Sequence, residues 1–336
     1  MPDTAARPAA EGGWIELIVH RKTQVAEGIA HFDLRAADGG PLPAFTAGAH
    51  VDLCLPGDLV RQYSLCGDPA RTDRYELGVL LEPDGRGGSR AAHEHLGPGS
   101  VVRVGAPRNL FGLVPGRHAL LIAGGIGITP ILAMAEALNR ADRSFELHYC
   151  ARSAARMAFR ERIESAAWAG RAQCYLDDAP AARFDAQTLI PAPEAGIHAY
   201  VCGPAGFLDH VLGTLRAKGW DEAHIHFERF SAAPAEAEAT GEADAAEAFE
   251  IQLGVDGPVV PVGAGQSAAQ ALIAAGVPVP LSCEQGICGT CAMRVLEGTP
   301  DHQDMYFTDD EHAANDRFTP CCSRARSRRL VVAPMD

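Results

Sequence analysis

No apolar run in this 336-residue chain reaches the roughly 18 residues that a membrane-spanning helix needs. The opening stretch, MPDTAARPAAEGG, lacks the apolar core of a secretory signal. A soluble cytoplasmic protein is therefore expected, with no membrane partner. Positive charge is in deficit: 29 Lys and Arg face 43 Asp and Glu, for a net charge of −14. A surface of that sign repels a phosphate backbone, which argues against nucleic acid as a partner. It serves solubility and leaves room for a positively charged protein partner. A second C-x2-C pair is absent, which removes the usual zinc spacing. The Cys/His pattern of a Rieske centre is missing too. Disulfide frameworks suit short secreted chains, so the ten cysteines point to metal ligation or free thiols.

What is present is Cys283, Cys288 and Cys291 as C-x4-C-x2-C in SCEQGICGTC, with Cys321 about thirty residues later. That is the spacing of a plant-type [2Fe–2S] cluster. Three thiolates on one tight loop can wrap one side of two irons. Gly286 and Gly289 lie inside the loop and let backbone N–H groups turn toward the bridging sulfides. The chain is thereby expected to carry single electrons.

With 47% hydrophobic residues, the chain can fill the two or three cores its length suggests. Ser231–Ala248 is rich in Ala and Glu, holds no aromatic or basic residue, and reads as an extended tether. Four segments follow: 12–113, 114–230, the tether at 231–248, and 249–336. The first is strand-like and rich in Gly and Pro, as in an antiparallel β-barrel. The second alternates strand and helix. Ala119–Ala123, Glu146–Cys150, Gln173–Leu176 and His198–Cys202 read as buried parallel strands. Helices are expected at Ile131–Asn139, Arg156–Trp168 and Ala205–Lys218, giving half of a doubly wound nucleotide-binding fold. The last segment reads as a ferredoxin module. It has a hairpin around Asp256-Gly257, a helix at Ser267–Ala275 and a strand at Ala292–Leu296. A capping box Thr308–Glu311 and a strand near Leu330–Ala333 complete it.

Four further runs bear chemistry. Arg61-Gln-Tyr63-Ser64-Leu ends a barrel strand; Arg61 and Tyr63 share a face and can reach a phosphate and an aromatic ring. Gly85-Arg86-Gly-Gly88-Ser89 precedes a short helix Arg90–Leu96, with Ser89 as its expected N-cap, and bares N–H groups for a phosphate. Gly124-Gly125-Ile-Gly127-Ile-Thr129-Pro130 leaves a strand and opens a helix, a setting that admits a dinucleotide pyrophosphate. Cys202-Gly203-Pro204 ends a later parallel strand, where ligands of open α/β sheets gather.

Together these runs resemble the phthalate dioxygenase reductase-type family of the ferredoxin–NADP reductase superfamily. The pattern is most similar to the reductase components of aromatic ring dioxygenases and vanillate-type O-demethylases, over nearly the whole chain. RQYSL resembles the flavin motif, and GRGGS with Pro107-Arg-Asn-Leu-Phe111 resembles the FMN branch. GGIGITP and YVCGP resemble the nicotinamide motifs, and Phe227-Glu-Arg-Phe230 the segment that closes over the flavin. Pro320-Cys-Cys-Ser-Arg324 resembles a C-V-S-R run, which makes Cys321 the fourth cluster ligand and puts Cys322 in the valine place. The resemblance implies a multidomain protein: an antiparallel β-barrel flavin domain, a parallel α/β nucleotide domain and a C-terminal β-grasp ferredoxin domain. It implies that Arg61, Arg86, Gly88 and Ser89 bind the FMN phosphate. Tyr63 would pack on the flavin ring and Ser64 would approach its N5. Gly125, Gly127, Thr129, Gly203 and Pro204 would line the dinucleotide, Cys202 would sit at the hydride-transfer point, and Phe230 would cover the flavin.

The implied function is an NAD(P)H-dependent reductase component of a multicomponent oxygenase. Electrons would pass through FMN and [2Fe–2S] to a separate Rieske-type oxygenase or O-demethylase. A cytochrome P450 is an open alternative partner, and a non-turnover redox-sensing module is a reading from another class. NADH is favoured and NADPH stays open, because Arg152, Ser153 and Arg156 follow the second parallel strand while an acidic ribose ligand is missing there. A monomer is expected. Cys54, Cys66, Cys150 and Cys174 read as structural thiols. His224 and His226 read as structural, Asp309, Asp310 and Glu311 as a solvated helix start, and Arg326, Arg328 and Arg329 as surface.

Overall fold

Alternating apolar residues drive the first hundred residues into a curled antiparallel sheet. Its strands are β1 (Trp14–Ala26), β2 (Ile29–Arg35), β3 (His50–Leu55), β4 (Leu59–Ser64), β5 (Tyr75–Leu80) and, after helix α1 (Gly88–His95), β6 (Val101–Gly105). The order is β4-β3-β6-β1-β2-β5. An isolated antiparallel bridge between Leu65 and Leu77 joins the two edge strands and closes the barrel. In β1, Ile15, Leu17 and Val19 point inward; Phe32, Leu34, Val51, Leu53, Leu77 and Val104 complete the filling. Each such side chain contributes about 1.5–3 kcal/mol on burial.

The chain then alternates: β7 (His118–Gly124), α2 (Ile128–Arg140), β8 (Ser144–Ala151), α3 (Arg160–Ser165), β9 (Ala172–Leu176), α4 (Ala186–Leu189), β10 (Ile197–Gly203), α5 (Ala205–Ala217) and β11 (Ile225–Arg229). All strands are parallel, in the order β11-β10-β7-β8-β9. Leu120, Leu121, Ile122 and Ala123 of β7 are all buried, as a strand covered on both faces requires. The chain runs outward from β7 through β9, then returns to the other side of β7 as β10. That reversal opens a crevice at the carboxyl ends of β7 and β10.

The helix expected over Arg156–Trp168 is shorter. Met157, Ala158 and Phe159 are buried in succession, and Phe159 takes a left-handed φ of 59°. A helix can bury only one stripe, so three consecutive buried residues force an irregular entry, and only Arg160–Ser165 is helical.

The ferredoxin segment holds β12 (Phe249–Leu253), β13 (Val259–Val262), α6 (Ala268–Ala274), β14 (Met293–Glu297), β15 (Pro300–Asp301), α7 (Asp309–Ala314), β16 (Arg317–Phe318), β17 (Arg324–Ala325) and β18 (Arg329–Pro334). The main sheet runs β13-β12-β18-β14-β16, with a parallel pair, β12 and β18, at its centre. Its core includes Phe249, Ile251, Leu272, Phe318 and Leu330. Ser267 and Thr308 cap α6 and α7 through complete capping boxes with Gln270 and Glu311.

The computed structural model describes residues 13–57, 59–83, 85–179, 183–230, 248–281, 284, 286, 289–304 and 306–335. The tether, save Ala248, lies outside them, as do Cys283 and Cys288. The chain divides into two compact units, Met1–Phe230 and Ser231–Asp336. Among the described residues no helix is long and apolar enough to cross a membrane.

Candidate functional site: an anion cradle, a nucleotide crevice and a cysteine loop

The glycine loop and the barrel strand meet. A Cβ on Gly88 would collide with Cγ of Arg61, so the Arg61 side chain lies across the first turn of α1. Its guanidinium donates to the carbonyls of Val60 at 2.8 Å and Arg86 at 3.0 Å. The N-cap of α1 is Gly87 in the left-handed region (φ 81°), with no side-chain cap and no acidic residue in the first turn. Ser89 is not the N-cap. It lies inside the helix, and its hydroxyl accepts the Glu82 amide at 3.0 Å. The helix start thus keeps its field for an anion, beside a guanidinium. Tyr63, next along β4, packs on the barrel core, and burial pushes its phenol up to about 12.

Ser64 ends the same strand. Its hydroxyl donates to Oε2 of Glu228 on β11 at 3.2 Å, linking barrel and α/β sheet. Glu228 pairs in register with Cys202, the penultimate residue of β10. Burial pushes the Glu228 carboxyl up to about 7, against the pull of the Ser64 hydrogen bond. Burial, reinforced by Glu228, pushes the fully buried Cys202 thiol well above its ordinary value. Phe230, half-buried just past β11, packs against the core that holds Cys202. The structure therefore brings Ser64, Cys202 and Phe230 to one junction and adds Glu228, which sequence reasoning missed.

The crevice is built from glycines with different tasks. A Cβ on Gly127 would run into the Cys202 carbonyl, so glycine is required for the loop to press on β10. Gly125 has φ 55° and faces open space. Gly203 lies against Gly124, where a Cβ would come within 3.1 Å of its Cα. Thr129 turns its hydroxyl back to the Ile126 carbonyl at 3.0 Å and its methyl toward Gly78 of β5. Neither α2, capped by Gly127, nor α5, capped by Pro204, has a side-chain cap or an acidic first turn. Two uncapped helix starts thus flank one crevice, which suits a pyrophosphate.

In the second unit, Gly286 and Gly289 have φ of 70° and 65°. A Cβ on Gly286 would come within 2.5 Å of the Cys322 Sγ and 2.8 Å of the Asp304 Cα; one on Gly289 would enter the Tyr306 ring. Only glycine lets these two positions sit so tightly against Asp304 and Tyr306. Cys291 is buried and Cys321 half-buried, both against the same core. Cys291 beside the glycine-curled loop, with Cys321 on a separate turn, gives a soft donor pair that fits an iron–sulfur cluster. Cys321 and Cys322 stand in a turn, with the Cys322 and Ser323 amides both donating to the Thr319 carbonyl. In a turn, unlike a strand, neighbouring side chains are not sent to opposite faces, so backbone alternation does not separate the two thiols.

Two family models match: the 2Fe-2S iron-sulfur cluster binding domain over residues 253–326, and the oxidoreductase NAD-binding domain over 121–212. A vanillate O-demethylase oxidoreductase of Pseudomonas putida is 48% identical, across 95% of this chain and 99% of that protein. The solved structure of phthalate dioxygenase reductase, described as a modular structure for electron transfer from pyridine nucleotides to [2Fe–2S], superposes with a TM-score of 0.74. It is 35% identical over 96% of this chain and 98% of its own. The chain belongs to the phthalate dioxygenase reductase-type family. A type IV self-sufficient cytochrome P450 monooxygenase also matches, with a TM-score of 0.79 and 36% identity over 97% of this chain, which spans 42% of that larger protein.

This reductase is an oxidoreductase with an NAD-binding domain followed by a [2Fe–2S] domain. Cys66, Cys150 and Cys174 behave as structural thiols: burial raises Cys66 to about 12 and also raises Cys150 and Cys174. His224 and His226 stand beside a third imidazole. His198 on β10 stacks on His226 and lies tilted against His224, with its Nδ1 3.0 Å from Nε2 of His226. The sheet supplies that neighbour, and the sequence places it more than twenty residues away.

Proposed function

We propose that this reductase serves an oxygenase system of the vanillate O-demethylase kind, taking electrons from NADH and delivering them to a separate Rieske-type oxygenase. The groups held are FMN, the nicotinamide and a [2Fe–2S] cluster; bound together, they supply the conversion of a two-electron donor into single-electron delivery. The observation that carries the reading is the Ser64–Glu228 hydrogen bond. It joins the barrel strand of the anion cradle to the crevice residue Cys202.

Arg61 holds the FMN phosphate with Arg86 and the amides of Gly88 and Ser89. The Ser89 contact comes from its backbone, since its hydroxyl serves Glu82. Tyr63 flanks the flavin ring, Ser64 offers a hydroxyl at its reactive edge, and Phe230 shields it from water. Gly125, Gly127, Gly203 and Pro204 leave room for the dinucleotide. Thr129 supports the loop through its own turn, and Cys202 marks the dry end of the crevice. Cys283, Cys288, Cys291 and Cys321 hold the irons. NADH is preferred because Arg156, a candidate for a 2′-phosphate, is committed to Glu27 at 3.3–3.4 Å.

Acid-extracted flavin should migrate as FMN, iron should be two per chain, and kcat/KM should favour NADH. FAD, or zinc in place of iron, would overturn the assignment. A P450 partner is the second reading, favoured by the matching stretch within a self-sufficient P450. Steady-state turnover with each purified oxygenase type would separate the two.

A further inference from the structure

Behind the cysteine loop, three donors that the electron-transfer function does not use face one another. His302 follows β15, Asp304 lies two residues on, and His312 comes from α7. One donor atom from each lies within 4.8 Å of the other two. The imidazoles stack, with ring centroids 4.4 Å apart. The Asp304 side chain is fully buried and fixed from outside the trio: Tyr306 and Phe307 amides donate to its Oδ2 at 3.2 and 3.0 Å, and the Ser323 hydroxyl to its Oδ1 at 3.2 Å. Nε2 of His312 stands 3.2 Å from Oδ2.

His302 is the odd member. Its side chain is 10% exposed, yet neither ring nitrogen has a hydrogen-bond partner. Nδ1 stops 3.6 Å from Oδ1 of Asp304, beyond hydrogen-bond range. A buried imidazole is rarely left so, because its nitrogens lose water and gain nothing. Ligation of a cation would satisfy it. The carboxylate is already oriented by three donors, as an outer layer of contacts orients a ligand.

We propose that His302, Asp304 and His312 form a second metal site, separate from the cluster, for a divalent transition ion of the zinc class. Two imidazoles and one carboxylate are the donor set that zinc accepts with a fourth position open to water. His312, with 24% of its side chain exposed, sits on the open side. The ion clamps the segment 302–312 behind the cysteine loop, where Asp304 already touches Gly286.

Zinc chloride titrated calorimetrically into the full-length holoprotein should show one saturable site while the visible absorbance of the cluster is unchanged. His302→Ala should weaken it at least about tenfold. His312→Gln is the stricter variant, because glutamine can keep a hydrogen bond to Asp304 while removing the ligand; its zinc affinity should fall as far with the cluster spectrum and melting temperature intact. His226→Ala should leave affinity unchanged. Wild-type affinity in His312→Gln would overturn the proposal and leave a hydrogen-bonded clasp. Binding that follows His226, or that occurs only as the cluster bleaches, would overturn it equally.

Discussion

Glu228 is a carboxyl in a place where ionisation is costly. Burial lifts it from an ordinary value of 4.5 to about 7. Its folded value exceeds its unfolded one, so the fold binds the proton more tightly than the unfolded chain does. The stability it contributes is complete below about pH 4.5 and is lost as pH rises through 7. The size is on the order of 3 kcal/mol. Melting of the flavin- and nucleotide-binding unit should therefore fall between pH 5 and 8, and Glu228→Gln should flatten that slope. Parallel slopes in wild type and variant would show that Glu228 does not titrate in this window. Arg61→Ala removes a charge-assisted contact worth about 1.5–3 kcal/mol, so flavin affinity measured after dialysis should drop about 10- to 100-fold. Cys321→Ser should abolish the cluster absorbance and spare the flavin, whereas Cys322→Ser should keep both. Loss of the cluster in Cys322→Ser alone would move the ligand by one residue. At this scale the sequence shows which residue types cluster, but not burial. Glu228 sits between an exposed phenylalanine and an arginine paired with Asp209, and nothing in that string marks its carboxyl as turned inward to Ser64. Ser89 has the residue type of a cap, yet Gly87 takes the cap through its left-handed backbone.

Between elements, the decisive contact is the loop before α2 pressed on the end of β10. Gly127→Ala pushes a methyl into the Cys202 carbonyl. It should cost about 1–3 kcal/mol and raise the KM for NADH, because the crevice must widen. Gly125→Ala meets no neighbour and should cost only the left-handed strain, about 1–2 kcal/mol. Chemical denaturation of the two variants checks the order; equal losses would mean that the Cys202 contact relaxes freely. The central parallel strands β7 and β10 were legible because they are apolar on both faces, and the hairpin, α6 and α7 because their turns and caps are written locally. The short α3 was not, since its residues satisfy a helical pattern until Met157–Phe159 sink into the core together. The turn at Cys321–Cys322 was likewise hidden, because it is set by Thr319 and by Arg324 reaching the carbonyl of Gln266.

Over the whole molecule, the order of parts is the argument: an anion cradle on a barrel, a crevice with two uncapped helix starts, then a cysteine loop curled by two glycines. That order was readable because glycine-rich turns and spaced cysteines mark their chemistry directly in the string. The account's central claim is that electrons from a nicotinamide reach a cluster in this same chain through a flavin. The most direct test is an anaerobic titration with NADH, followed by visible absorbance and by electron paramagnetic resonance. A flavin accepts two electrons and a plant-type cluster one, so full reduction should take about 1.5 equivalents of NADH, with the rhombic signal of a reduced [2Fe–2S] centre growing as the flavin bleaches. Flavin bleaching at about one equivalent with the cluster still oxidised, or no reduction by either nicotinamide, would contradict it.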